Sequence, residues 1–246
     1  MISVIVPVLN EEENIAALLE EISAAAGHSP ISEIIYVDDG STDGTHRILQ
    51  SLKCRHPALR VLRHDRRCGQ SAALWAGVKA AGNDLIVTLD GDGQNDPADI
   101  VQLYALYERH RAAQPKTMIA GERQKRNDSI SRRATSRFAN GLRSAILRDK
   151  TKDTGCSLKM FRRKDYLALP YFDHMHRFLP ALMLREGVHL VHADVSHRPR
   201  QHGFSKYGNF SRALAGAGDL LGVWWLQRRP YAFPEIAEDL NQGQET

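Results

Sequence analysis

Cysteine is scarce in this chain, and the three present, Cys54, Cys68 and Cys156, form no close pair. An odd, scattered set excludes a disulfide framework and a zinc knuckle, and points to reduced thiols in a cytoplasmic setting. Long apolar runs are missing too. The most apolar stretch, residues 213–226, contains Asp219 and is shorter than the roughly 20 residues a bilayer span requires. The start, Met1-Ile2-Ser3-Val4-Ile5-Val6-Pro7, has neither the basic region nor the long apolar core of a secretion signal. No Gly-x-Gly-x-x-Gly follows the first apolar run, and Gly-x-x-x-x-Gly-Lys-Ser/Thr occurs nowhere. Dinucleotide and P-loop readings therefore fail. Repeats and low-complexity linkers are also lacking. What remains is 246 residues of ordinary composition, able to bury one substantial core.

The net charge of +4 hides a strong segregation. Residues 1–121 hold 11 Lys/Arg against 16 Asp/Glu, residues 122–164 hold 14 against 4, and residues 165–246 hold 8 against 9. A basic block in an otherwise acidic chain suits a polyanionic partner, whether nucleic acid, anionic lipid or phosphates; the alternative is a solvated helix face.

Short apolar runs alternate with amphipathic segments through the first half, the pattern of a parallel sheet with crossover helices. Strands are expected at Ile2–Val6, Glu33–Val37, Leu59–Leu62, Leu85–Leu89 and Met118–Ala120. Helices are expected at Glu11–Ala26, Asp43–Leu52, Gln70–Ala81 and Ala98–Arg109. The rhythm then changes. A basic helix is expected at Ser129–Leu147, a strand at Ser157–Phe161, a helix at His176–Glu186, a strand at Val188–Asp194 and a final helix at Tyr207–Leu226. Trp224 and Trp225 followed by Arg228 and Arg229 have the order of an interfacial helix, with rings at headgroup depth and cations beyond. A core or dimer helix would look the same.

Three of the expected strands end in polar clusters: Asn10/Glu11, Asp38/Asp39 and Asp90/Asp92. The carboxyl edge of an open α/β sheet is where ligands bind. Asp-x-Asp alone could be a solvated turn, but hard oxygen ligands in this setting suit Mg²⁺ or Mn²⁺ beside phosphates. The histidines at 174, 176, 189, 192, 197 and 202 have spacings that match no common metal site.

Val4-Ile5-Val6-Pro7-Val8-Leu9-Asn10-Glu11-Glu12, Val37-Asp38-Asp39-Gly40-Ser41-Thr42-Asp43-Gly44-Thr45 and Leu89-Asp90-Gly91-Asp92-Gly93-Gln94 together resemble the family 2 glycosyltransferases of GT-A fold. Gly121-Glu122-Arg123, Asp153-Thr154-Gly155-Cys156, His176-Arg177-Phe178-Leu179-Pro180 and the run from Arg200 to Gly208 resemble one branch of it. That branch comprises the dolichol-phosphate mannosyltransferases and the undecaprenyl-phosphate enzymes. The resemblance covers residues 1–227 and implies a single GT-A domain, α/β with a mostly parallel, Rossmann-like sheet flanked by helices. Residues 1–121 would be its nucleotide-sugar part, 122–227 its acceptor part, and 228–246 a tail.

Carried over residue by residue, the resemblance implies that Pro7, Asn10, Glu11, Asp38 and Asp39 line the nucleotide pocket. Asp90, Asp92 and Gln94 would bind Mg²⁺ or Mn²⁺ and the donor diphosphate, with Asp92 central to catalysis. Arg123, Arg133, Arg200, Ser205 and Lys206 would contact the phosphates of donor and acceptor. The implied reaction moves a sugar, with inversion, from a nucleotide-diphosphate sugar to polyprenyl phosphate at the inner face of the cytoplasmic membrane. The enzyme would be peripheral, with a membrane protein as a further partner and no nucleic acid. The Gln-x-x-Arg-Trp of processive synthases is absent. Asp173 is the best spare base candidate for a hydroxyl acceptor, but a loop carboxylate pairing with Arg177 or a histidine is the stronger reading of the sequence.

Overall fold

The computed structural model describes residues 1–123, 141, 143–199 and 209–229, with the side chains of 209–215 and 217 outside the description. Seven strands form one sheet: β1 (Ile2–Val8), β2 (Ile31–Asp38), β3 (Leu59–Arg63), β4 (Leu85–Thr88), β5 (Thr117–Arg123), β6 (Lys159–Arg162) and β7 (His189–Val195). Their order is β3-β2-β1-β4-β6-β5-β7. Among the described residues only β6 runs antiparallel to its neighbours, β4 and β5. The remaining pairings are parallel.

The helices are α1 (Ile15–Ala25), α2 (Thr45–Leu52), α3 (Gln70–Ala80), α4 (Asp99–Arg111), α5 (Arg163–Leu167), α6 (Leu179–Arg185) and α7 (Asn209–Gln227), with a 3₁₀ turn at Met175–Phe178. They cover both faces of the sheet, and this explains why the central strands read as continuous apolar runs. Alternate residues of β1 go to opposite layers. Ile2, Val4, Val6 and Val8 pack with Ile15, Leu19, Leu49 and Ile100. Ile5 joins Ala73, Val78, Phe178 and Leu182 on the other side.

The expected strands of the first half all form, but several boundaries move. The first helix starts at Ile15, not Glu11, because Asn10 takes a left-handed φ of 52° and the Glu11 N–H is held by the Thr45 hydroxyl at 2.9 Å. The helix expected over His176–Glu186 divides into the 3₁₀ turn and α6. Pro180 sits in the first turn of α6, the place where a missing N–H costs a helix nothing. The strand expected from Ser157 begins at Lys159, because β4 ends opposite it at Thr88 and the Ser157 carbonyl accepts the Thr88 hydroxyl at 2.6 Å in place of a ladder N–H. Helix α5 was not foreseen. Of the expected basic helix at Ser129–Leu147, residues 141 and 143–147 are helical and the rest lie outside the described residues.

Candidate active site

The site follows from the strand order. With β1 between β2 and β4, the three polar strand ends become neighbours. Pro7 lies in β1 opposite Val37, and the Asp39 N–H donates to the Val8 carbonyl at 2.9 Å. Asp90 follows β4, and Gly91 turns the chain back against β1. A Cβ at Gly91 would lie 2.4 Å from Val8 Cγ1 and 3.2 Å from the Pro7 carbonyl oxygen. The glycine between the two acids is therefore a steric requirement of their placement.

The β1 and β2 ends interlock. Asn10 Oδ1 accepts the Thr42 N–H at 2.8 Å, its own N–H donates to Ser41 Oγ at 2.9 Å, and Glu11 Oε2 accepts from Asn14 Nδ2 at 2.7 Å. Buried Asp38 takes the Ser41 N–H on Oδ1 at 2.8 Å; its Oδ2 lies 3.3 Å from His46 Nδ1 and 3.4 Å from Arg63 Nε. Asp39 holds the following loop, accepting the N–H groups of Cys68 and Gly69, each at 2.8 Å, with His64 Nδ1 2.7 Å away.

Around the Asp90–Asp92 pair, Gln70 Nε2 donates to Asp90 Oδ1 at 2.7 Å, and the Asp90 N–H donates to Ser157 Oγ at 3.0 Å. Burial, and then the Asp92 charge, push the Asp90 carboxyl up to about 6, against the pull of Ser157, Lys159 and Arg123. Two close carboxylates of which one resists ionisation are a pair that a cation relieves. Asp92 Oδ1 accepts the Gln94 N–H at 3.1 Å. The Gln94 carbonyl accepts the Arg198 N–H at 2.9 Å, and Gln94 Nε2 reaches the Arg198 carbonyl at 3.5 Å. Arg198 itself bridges Glu21 and Asp96, each at 2.7 Å.

Arg123 is clamped by Asp153 through Nε and through Nη2, the latter at 2.7 Å from Oδ1. Arg133, Arg200, Ser205 and Lys206 lie outside the described residues. The segment carrying the last three starts one residue beyond Pro199, close in sequence to the Arg198–Gln94 contact.

Asp90 is also part of the wall of a cavity of about 600 Å³ between β4, α3 and the 3₁₀ turn. Its charged lining includes Arg67, Lys159, Arg177 and Asp173, with His174 and His176. Lys159 was missed in the sequence, although a cation inside Leu158-Lys159-Met160-Phe161 is the signal that could have found it. Its ammonium is buried and donates to the Cys156 carbonyl. Burial lowers its pKa, while Cys156, Asp90 and Asp153 act in the opposite direction. Asp173 Oδ2 lies 3.6 Å from His174 Nε2, so the histidine pairing anticipated for it is present. His174 reaches Asp219 of α7 at 3.4 Å, which ties the cavity rim to the last helix.

That helix is pinned by buried Val223 and by Gln227 Nε2, which donates to the carbonyls of Leu147 and Ala181 at 3.2 and 3.1 Å. Its other face exposes Leu221, Trp224 and Trp225. The guanidiniums of Arg228 and Arg229 sit 4.0 and 4.7 Å from the ring centroids of Trp224 and Trp225. No helix among the described residues is long and apolar enough to cross a membrane.

The family model described as glycosyl transferase family 2 matches residues 3–169. The chain belongs to that family. Dodecaprenyl-phosphate galacturonate synthase of Rhizobium johnstonii is 38% identical over 92% of this chain and 67% of its own length. Undecaprenyl-phosphate 4-deoxy-4-formamido-L-arabinose transferases of Edwardsiella ictaluri and Aeromonas hydrophila are 35% and 33% identical, over 84% and 85% of this chain. The chain spans only 63% of the length of each of these two. Glucosyl-3-phosphoglycerate synthase of Mycobacterium tuberculosis, solved with Mn²⁺, UDP-glucose and glycerol 3-phosphate, aligns with a TM-score of 0.64 at 20% identity, over 92% of this chain and 79% of that one. The fold is GT-A.

Proposed function

We propose that this chain transfers a single sugar, with inversion, from a nucleotide-diphosphate sugar to a polyprenyl phosphate. The observation that carries the proposal is Asp90, which joins two regions of opposite charge. On one side lie the acidic ends of β1, β2 and β4; on the other is the cavity with Arg67, Lys159 and Arg177. The names of the lipid-phosphate transferases at 38%, 35% and 33% identity support the same acceptor class.

Pro7, Asn10, Glu11, Asp38 and Asp39 would form the nucleotide side, where carboxylates suit ribose hydroxyls and base N–H groups. Asp90, Asp92 and Gln94 offer hard oxygen ligands of the kind Mg²⁺ and Mn²⁺ prefer, and the related M. tuberculosis synthase was solved with Mn²⁺ and UDP-glucose. A bound divalent ion would supply Lewis-acid stabilisation of the departing diphosphate. Arg123 would sit at the diphosphate, oriented by Asp153. Arg133, Arg200, Ser205 and Lys206 would hold the phosphates from segments beyond the described ones.

The acceptor needs no general base. A phosphate monoester has a second pKa of about 6, so its oxygen is already anionic at neutral pH and needs cations to hold it. Residues 1–227 would act as one catalytic domain. Docking on the anionic inner leaflet would use the basic block and the Trp224/Trp225 edge, whose cations and rings match headgroup depth; a membrane protein would be an additional anchor.

Incubation with undecaprenyl phosphate and labelled nucleotide-activated galacturonate, 4-deoxy-4-formamido-L-arabinose, glucose and mannose tests the reading. A lipid-linked monosaccharide is expected, and no lipid product from a broad donor panel rejects it. One observation favours a second reading, with a glycan hydroxyl as acceptor: Asp173 lines the cavity and is largely exposed, as a base would be. A large rate loss in Asp173→Asn, with lipid phosphate inert, would select it.

A further inference from the structure

Asp39, His64 and Cys68 each offer a ligand atom, the three atoms lying within 4.8 Å of one another, and His64 Nδ1 and Asp39 Oδ1 already meet at 2.7 Å. We propose that they form a second metal site, for a borderline-soft divalent cation of the Zn²⁺ class, separate from the Asp90–Asp92 pair. The donor chemistry separates the two. Thiolate and imidazole ligands select Zn²⁺ and its neighbours, whereas carboxylate oxygens alone suit Mg²⁺ and Mn²⁺. Three protein ligands of types O, N and S leave a fourth tetrahedral position for water, and the ion would take Asp39 Oδ1, beside His64 Nδ1, leaving Oδ2 to the nucleotide side proposed above.

The frame is fixed before any ion arrives. Asp39 and His64 follow the ends of adjacent parallel strands, β2 and β3, in which Asp38 pairs with Arg63. The His64 N–H donates to the Asp38 carbonyl at 2.9 Å, extending the ladder by one residue. The loop that brings Cys68 back is held by its own N–H and that of Gly69 on the Asp39 carboxylate. It also packs on Gly40, which has a φ of 75° and where a Cβ would come within 2.7 Å of the Arg66 backbone. The ligand from the sheet is buried and the sulfur is exposed, so an ion can enter from solvent. Binding replaces the thiol proton by the S–metal bond and releases that proton to water.

Cys68 also lines the 600 Å³ cavity. An ion here would clamp the 64–69 loop against the sheet and set one wall of that cavity.

Co²⁺ is the direct probe, because a thiolate ligand gives it a ligand-to-metal charge-transfer band that oxygen ligands do not. Titration of the whole chain with Co²⁺, in excess Mg²⁺ to saturate the acidic pair, should raise this band at one equivalent. Calorimetry with Zn²⁺ should report the same site. Cys68→Ser should abolish the band. Since even outer-shell partners change metal affinity about 10–100-fold, loss of the thiolate should weaken Zn²⁺ binding by at least about 100-fold. Cys54→Ser, which removes the other exposed thiol, should leave band and affinity unchanged. A missing band in the folded parent chain, or a band that survives Cys68→Ser, overturns the proposal. The test involves no donor or acceptor, so its failure leaves the sugar-transfer reading untouched.

Discussion

The acidic strand-end region, residues 1–121, and the basic region that begins at residue 122 solve opposite problems with the same sheet. The first concentrates Asp38, Asp39, Asp90 and Asp92 and neutralises them locally: backbone N–H groups serve Asp39, an N–H and nearby His46 and Arg63 serve Asp38, and Gln70 serves Asp90. The second carries its cations from Arg123 onward, and one of them, Lys159 of β6, lies in the core within electrostatic reach of Asp90. Charge of either sign is tolerated at the sheet edge because each group meets a partner there; an unpartnered buried charge would cost several kcal/mol. The antiparallel β6 is what lets the later region contribute to a site started by the earlier one, since it inserts between β4 and β5.

The most severe way to break this division is to remove the acid that only the first region supplies. Asp92→Ala should lower kcat in the lipid-product assay by roughly 10²–10³-fold, as removal of a group stabilising transition-state charge does, with the folded state retained by circular dichroism. Unchanged turnover would take Asp92 out of the reaction. A smaller loss should follow from the other side. Lys159→Met keeps the length and the burial but deletes the charge. Because hydrogen bonds to a charged group contribute about 1.5–3 kcal/mol, apparent affinity for polyprenyl phosphate should fall by about 10–100-fold. Donor affinity measured without acceptor should change much less, and an equal change in both would erase the functional boundary between the regions.

The pH dependence sharpens the comparison further. Asp90 is pushed up to about 6, so the folded protein retains that proton after the unfolded chain has released its own. The associated stability is fully present in acid and is lost as pH rises through about 6. A divalent cation favours the ionised form and reverses the trend. The thermal shift given by Mn²⁺ should therefore be larger at about pH 7.5 than at about pH 5, and a shift independent of pH would place the ion elsewhere. The smallest effect is expected farthest from the chemistry. Trp225→Ala should weaken binding to anionic vesicles by about tenfold, the equivalent of about 1.4 kcal/mol of apolar contact. Stability should stay within about 0.5 kcal/mol, because the ring is exposed. Equal vesicle binding by parent and variant would leave the helix edge as a protein contact.

Much of this was legible before any coordinates. Period-two and period-3.6 patterns are local, so the alternation of strands and helices and the three acidic strand ends could be read from neighbouring residues. The later region was harder to read. The 3₁₀ turn at Met175–Phe178 and helix α5 are short elements whose geometry is set by packing on α3, and short segments carry too little periodicity to announce themselves. Lys159 reads as one more cation of a basic block until β6 is seen to place it inside the core. His64 reads as a surface loop residue until β3 is set beside β2.

By itself, then, the sequence determined the α/β class, the acids at the ends of three strands, the charge segregation and the family. Each is written in adjacent residues or in composition, and none depends on which segments meet. Only the tertiary structure decided that β1 separates β2 from β4, that Gly91 presses the acidic turn onto β1, that Lys159 backs Asp90, and that Asp39, His64 and Cys68 converge. Those contacts reach across 83 positions in the pairing of Ile2 with Leu85, and they arise from burying both faces of one sheet, a global constraint that no local pattern encodes.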